Sequence, residues 1–95
     1  MARKYDVAII LVNYNSSDFT ISCVDSIFEK TSSSIQFQVI LVDNNSSKGE
    51  FEKLDSLRGR QDVTIFRSRQ NIGFSGANML GVQLAVSNSW LASPT

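Results

Sequence analysis

Three clusters of polar residues carry side chains that can bind a small polar ligand, and each cluster follows an apolar run. They are Asn13-Tyr14-Asn15, Asp43-Asn44-Asn45-Ser46, and Asn71-Ile72-Gly73-Phe74-Ser75-Gly76-Ala77-Asn78. An ionised carboxylate such as Asp43 accepts hydrogen bonds from a base imide or a ribose hydroxyl, and Tyr14 can stack on a base. Each also has a structural alternative, because Asp43 can satisfy turn N–H groups and Tyr14 can cover the end of a helix.

An alternation of apolar runs and helical patterns places each cluster at the end of a strand. Continuous aliphatic runs are typical of parallel strands that are buried on both faces. We predict strands at Val7–Val12, Phe37–Val42 and Val63–Phe66, the third nearer an edge of the sheet. We predict a first helix at Phe19–Lys30, capped by Ser17 or Asp18. A second, short helix is predicted around Phe51, Leu54 and Leu57, and it ends at Gly59. A third is predicted from Gly73 to about Val86.

This order of elements predicts an α/β fold, a three-layer α/β/α Rossmann-like parallel sheet. The carboxyl ends of parallel strands lie along one edge of the sheet, and ligands of open α/β sheets bind outside that edge. The three polar clusters are therefore expected on one surface. This convergence favours ligand contact over turn capping for Asp43.

The glycines at the start of the third predicted helix permit a close approach of the backbone to a ligand. Gly73 and Gly76 flank Phe74-Ser75, and a helix N-terminus favours an anion such as a diphosphate. Their spacing matches neither Gly-x-Gly-x-x-Gly nor a Gly-x-x-x-x-Gly-Lys phosphate loop, and a tight turn with Gly76 packed on the sheet is the alternative. Arg67 and Arg69 either contact phosphates or are solvated loop charges.

The composition excludes several classes of protein. The 95 residues include 9 basic and 9 acidic side chains, so no basic face for nucleic acid is expected. Histidine is absent and Cys23 is the single cysteine, which excludes His-based triads and internal disulfides; we expect Cys23 to be inert core. A lone cysteine fits a reducing cytosol, so we expect a cytoplasmic protein. Val7–Val12 is far shorter than the ~20 residues of a membrane span, so we expect no transmembrane segment.

Taken in order, the clusters resemble the N-terminal half of family 2 glycosyltransferases, the GT-A inverting enzymes, and the rhamnosyltransferase-like members most of all. The resemblance spans about residues 6–86 and rests on four stretches: Ile9 to Asn15, Ser26-Ile27, Val39 to Ser47 and Asn71 to Asn78. The last is similar to the Asn-x-Gly-Phe-x-x-Ala-Asn stretch of the rhamnosyltransferase-like branch. The resemblance implies a truncated GT-A nucleotide-diphospho-sugar transferase fold, with residues 1–95 as a single partial domain.

The resemblance also implies an activity, the transfer of a sugar from a nucleoside-diphosphate donor of UDP or dTDP type to an acceptor hydroxyl, in bacterial polysaccharide biosynthesis. It implies nucleotide-sugar contacts at Val12, Tyr14, Asp43, Asn45, Asn71, Gly73 and Gly76. The complete family enzyme uses Mg²⁺ or Mn²⁺, held by an Asp-x-Asp motif after a fourth strand. No acidic residue follows Asp62, so we expect neither metal ligands nor a catalytic residue here.

These departures predict a fragment or a truncated gene product that binds the donor and is inactive alone. We expect the full-length parent to be peripheral to the inner membrane. In the family the strand order is 3-2-1-4. The first strand would then present an apolar free edge that favours a homo-oligomer, unless Trp90-Leu91 folds over it. Two alternatives stay open, a non-catalytic flavodoxin-like nucleotide-binding or signalling module and a purely structural α/β scaffold.

Overall fold

The predicted alternation of strands and helices is confirmed in a computed structural model, which describes residues 4–89. Trp90 and Leu91 lie outside the described residues. The elements are β1 (Val7–Asn13), α1 (Ser17–Lys30), β2 (Phe37–Asp43), α2 (Lys48–Lys53), a 3₁₀ helix (Leu54–Leu57), β3 (Val63–Arg67) and α3 (Gly73–Ser89). No helix among the described residues is long and apolar enough to cross a membrane.

The three strands form one parallel sheet in the order β1-β2-β3. The central strand, β2, has four consecutive residues that are 0% exposed, Val39 to Val42, which agrees with its continuous apolar sequence. At the carboxyl end the register aligns Asn13 with Asp43 and Asp43 with Arg67. One polar or charged residue of each strand therefore lies at the same edge.

The two faces of β2 supply two separate hydrophobic cores, which make the predicted three layers. On one face, residues of β2 pack against α1, α2 and the 3₁₀ helix; on the other face they pack against α3. The buried members of the first core are Val24, Val39, Leu41, Leu54 and Leu57, and those of the second are Ile40, Val42, Ala77 and Ala85. Cys23, predicted as core, is only partly buried.

Several element boundaries differ from the prediction by one or two residues, for identifiable reasons. β1 and β2 include Asn13 and Asp43 because both residues keep backbone bonds to the next strand's exit. Asn44 N–H donates to the Asn13 carbonyl at 2.8 Å, and Ser68 N–H donates to the Asp43 carbonyl at 2.8 Å. The side chains of Asn13 and Asp43 thus project from rigid strands rather than from loops.

The third helix lies unusually close to β1. A Cβ on Gly81 would lie 2.5 Å from Ile10 Cγ2, a distance that no alanine at that position could keep. Glycine at position 81 therefore sets the depth at which α3 packs on the sheet. This packing also fixes the start of α3, which carries the third polar cluster.

Candidate functional site

Asp43 lies at the centre of the carboxyl edge and is completely buried. Its side chain is 0% exposed. Oδ1 accepts hydrogen bonds from Asn13 Nδ2 at 2.9 Å and from Ser46 Oγ at 2.7 Å, and Oδ2 accepts one from the Ser46 backbone N–H at 3.0 Å. A carboxylate offers about four acceptor positions, and three are used here. Asp43 therefore caps the turn that follows β2.

Asn13 connects this carboxylate to the first helix. Its Nδ2 also donates to Ser17 Oγ at 3.1 Å, while its Oδ1 accepts from Thr20 Oγ1 at 2.7 Å and from Ser16 Oγ at 3.3 Å. Both ends of the buried amide are satisfied, as a buried polar group requires. The end of β1, the start of α1 and the end of β2 form one hydrogen-bonded unit.

The turns after β1 and β2 are also bonded directly to each other. Asn15 N–H donates to Ser46 Oγ at 2.9 Å, and Ser47 N–H donates to Asn15 Oδ1 at 2.8 Å. Asn15 and Asn45 have φ of 50° and 67°, in the left-handed region that asparagine tolerates better than most residues. Two polar clusters that are distant in the sequence are thereby joined into a single surface.

Arg67 supports this surface from β3. Its Nη2 donates to the Ser46 carbonyl at 2.7 Å, and its Nε lies 3.7 Å from Asp43 Oδ2. The guanidinium also lies 4.6 Å from the centroid of the Phe51 ring. Arg67, itself 38% exposed, thus places a positive charge beside the buried carboxylate, as buried charges require; Arg69 is also exposed.

The third cluster is held at the same edge by Asn44, which is 3% exposed. Asn44 Nδ2 donates to Asn71 Oδ1 at 3.1 Å and to the Gly73 carbonyl at 3.2 Å, and Asn44 Oδ1 accepts from the Ile72 N–H at 2.9 Å. Gly73 has a φ of 78°, which glycine adopts without a steric penalty. All three polar clusters therefore meet, as their positions in the sequence predict.

The predicted contact residues are unequally accessible. Tyr14 is 51% exposed, and Asn45, Asn71 and Gly73 are also exposed. Val12 packs against the core beneath α3. A Cβ on Gly76 would lie 3.2 Å from Ile72 Cγ1, so Gly76 packs closely against the Ile72 side chain.

Sequence reasoning grouped Asn13 and Asn44 with the polar clusters but assigned no role to either. The role of Asn13 depends on the parallel register, which aligns the last residues of β1 and β2 and which the sequence alone did not give. For Asn44 no local signal existed, because its partners are 27 to 29 residues further along the chain.

The acidic residues of this edge do not fit a divalent cation. Within residues 4–89, no group of three or more His, Cys, Asp or Glu side chains is placed to hold a metal ion. The one carboxylate at the centre of the edge, Asp43, already accepts three hydrogen bonds. The chemistry available to these residues is hydrogen bonding and stacking with a ligand.

Comparison with protein families gives a match over residues 8–92 to the family described as glycosyl transferase family 2. The matched range includes β1 except its first residue, Val7, together with β2, β3 and all three polar clusters. A comparison with curated proteins gives no match.

Proposed function

The chain belongs to glycosyl transferase family 2, and from this we propose that the carboxyl edge of its sheet binds the nucleotide of a nucleoside-diphosphate sugar. The observation that carries the proposal is the meeting of three polar strand ends in one hydrogen-bonded surface. In open parallel sheets this edge is where ligands bind. We assign the donor to the UDP or dTDP type and the parent enzyme to the rhamnosyltransferase-like branch. Both assignments rest on the family resemblance, in particular on the similarity of residues 71–78 to the Asn-x-Gly-Phe-x-x-Ala-Asn stretch of that branch.

In this proposal the base lies against the exposed ring of Tyr14. Stacking on an aromatic ring is worth about 1–3 kcal/mol per base and needs no change in the fold. Asn45 lies in the adjoining turn and supplies a polar contact. Val12 contributes through its backbone, because its side chain packs beneath α3.

Asp43 has one acceptor position left for a base imide, beside Arg67 Nε. Because the carboxylate is covered in the structure, a base reaches it only when the turn from Asn44 to Ser47 shifts. A contact between Asp43 and the base is thus a second step after stacking on Tyr14. The same burial argues against a phospho-acceptor module, which needs an accessible aspartate.

The diphosphate is assigned to the start of α3. Asn71, Gly73 and Gly76 lie there, and the N-terminus of a helix attracts anions, although the Gly73 N–H already donates to Asn71 Oδ1. Arg69 is exposed and follows β3 at the same edge. We further propose that the described residues bind the donor without transferring its sugar. Asp43 is the only acid among them at the centre of this edge, and its carboxylate already accepts three hydrogen bonds.

Isothermal titration of UDP and of dTDP into the wild type, Tyr14→Ala and Asp43→Asn tests the proposal. We expect weak, metal-independent binding by the wild type and about tenfold weaker binding by Tyr14→Ala, a side chain with no role in the core. Asp43→Asn is read together with its thermal unfolding, because the change also breaks the turn. Equal affinity of wild type and both variants would contradict the assignment of the site.

We also propose that a homo-oligomer forms through β1. Val7 N–H donates to the Gln36 carbonyl and the Asn13 carbonyl accepts from Asn44 N–H, so alternation directs the N–H and C=O groups of Ala8, Ile10 and Val12 away from β2. In the described part of the chain no strand pairs with this edge. β1 has no charged residue to discourage pairing, and two copies joined antiparallel would form one continuous sheet.

A further inference from the structure

We propose that Asn44 is a positioning residue for nucleotide binding, which holds the segment from Asn71 to Gly73 against the end of β2. This inference rests on the proposed function, because the segment is the one assigned to the diphosphate. Asn44 itself is almost completely buried, at 3% exposure, so it acts through the residues that it holds.

The side chain of Asn44 bonds to three consecutive residues. It donates to Asn71 Oδ1 and to the Gly73 carbonyl, and it accepts from the Ile72 N–H. Two of these partners are backbone groups, so the position of the main chain at the start of α3 is specified directly. Asn71, Ile72 and Gly73 are all exposed, so the buried Asn44 side chain connects an exposed segment to the end of β2.

The backbone of Asn44 completes the connection to the other strands. Its N–H donates to the Asn13 carbonyl at 2.8 Å, and the preceding residue, Asp43, accepts from Ser68 N–H at 2.8 Å. Asn44 is therefore the residue at which the ends of β1 and β2 meet the start of α3. The Asn44 side chain therefore links the base-binding side of the site to the diphosphate-binding side, in addition to the packing of α3 on the sheet.

Only an amide side chain of this length can both donate to Asn71 and Gly73 and accept from Ile72. An aspartate keeps the acceptor for the Ile72 N–H but loses both donated bonds, and an alanine loses all three. The local turn survives either change, because Gly73 N–H donates to Asn71 Oδ1 at 2.8 Å within the segment. We therefore expect the segment to lose its anchor rather than its shape, and nucleotide binding must then supply the ordering free energy.

The test compares the wild type, Asn44→Ala and Asn44→Asp with a matched control, Asn88→Ala. Asn88 also donates one side-chain bond from α3 to the sheet, to Thr64 Oγ1 at 3.1 Å, but at the opposite edge. Calorimetric titration with UDP and dTDP gives the affinity, thermal unfolding gives the stability, and amide hydrogen exchange of Ile72 reports the anchor directly.

We expect Asn44→Ala to bind about tenfold more weakly, the cost of one or two net hydrogen bonds, and its Ile72 amide to exchange faster. Asn44→Asp should keep the Ile72 amide protected and still bind more weakly. Asn88→Ala should change stability but neither affinity nor Ile72 exchange. Should Asn44→Ala fail to fold, Asn44→Asp alone decides the question.

Two results would overturn the inference in distinguishable ways. Wild-type affinity retained in both Asn44 variants removes the positioning role and leaves the proposed function standing. Absence of binding by the wild type removes the proposed function and the ligand role of Asn44 together. In that case hydrogen exchange still tests whether Asn44 holds the segment. Faster exchange of the Ile72 amide in Asn44→Ala would show that it does, and an unchanged rate would show that it does not.

Discussion

Asn13 and Asp43 are aligned partners on neighbouring parallel strands, and Asn13 Nδ2 donates to Asp43 Oδ1 over 2.9 Å in a fully buried position. The bond joins a neutral amide to a carboxylate at the point where two strands leave the sheet. Hydrogen bonds to charged groups are worth more than neutral ones, about 1.5–3 kcal/mol. The pair therefore stabilises the candidate site and the fold through the same atoms.

Replacement of Asn13 by aspartate should lower the free energy of unfolding by about 2 kcal/mol or more, because a second buried carboxylate would face Asp43 without a donor between them. Urea denaturation at pH 7 measures the change. The matched control is Asn15→Asp, since Asn15 is exposed and its Oδ1 only accepts, from Ser47 N–H. A similar decrease in the free energy of unfolding for both variants would show that the buried Asn13–Asp43 pair contributes no more to stability than an exposed asparagine.

The close approach of α3 to β1 predicts opposite effects for two glycine-to-alanine changes. Gly81→Ala places a Cβ 2.5 Å from Ile10 Cγ2 and should destabilise the protein by about 1–3 kcal/mol through overpacking. Gly49→Ala meets no atom within 4 Å and should stabilise α2 by up to about 1 kcal/mol. Thermal unfolding of the two variants gives the signs, and a neutral Gly81→Ala would contradict the packing.

Tyr5 predicts a loss of stability at alkaline pH. Burial, and then its hydrogen bond to Asp62, raises the pKa of Tyr5 from 10.0 to about 12. Between about pH 10 and pH 12 the unfolded chain releases this proton while the folded chain keeps it, so stability falls as the pH rises. Unfolding midpoints of the wild type and Tyr5→Phe across this range measure the effect. The variant should show a shallower decline, and parallel declines would exclude Tyr5 as the cause.

The outer edge of β1, with which no described strand pairs, predicts an oligomer that one outward-facing residue controls. Ala8→Pro removes an N–H directed away from β2 and leaves the β1–β2 ladder intact, a position where proline is tolerated. Sedimentation velocity should show an oligomer for the wild type and a monomer for Ala8→Pro with unchanged circular dichroism. A monodisperse wild-type monomer would contradict self-association through β1.

The sequence was sufficient for the fold because each strand carries a local signal. The run from Val39 to Val42 is apolar, which predicted a strand buried on both faces, and the more alternating Val63–Phe66 run predicted a strand nearer an edge of the sheet. Exposure along α3 was harder to predict, because Met79 and Val86 are 60% and 58% exposed although both are apolar.

The candidate site was only partly predictable. Its position followed from the parallel sheet, which brings polar strand ends to one edge. The partners of Asp43 did not follow, because they depend on the register that aligns Asn13 with it and on the turn that returns Ser46 to it. Arg67 was interpreted as a phosphate contact or a solvated charge, and its stacking on Phe51 required knowledge of where α2 packs.

The most direct test of donor binding at the carboxyl edge is chemical-shift mapping of the ¹⁵N-labelled protein with UDP. We predict perturbed amides at Tyr14, Asn45 and Gly73, and unperturbed amides in the polar pocket at the opposite edge, which is lined by residues that include Tyr5, Asp62 and Thr64. Perturbations confined to that opposite pocket, or none at millimolar UDP, would contradict the assignment of the nucleotide site.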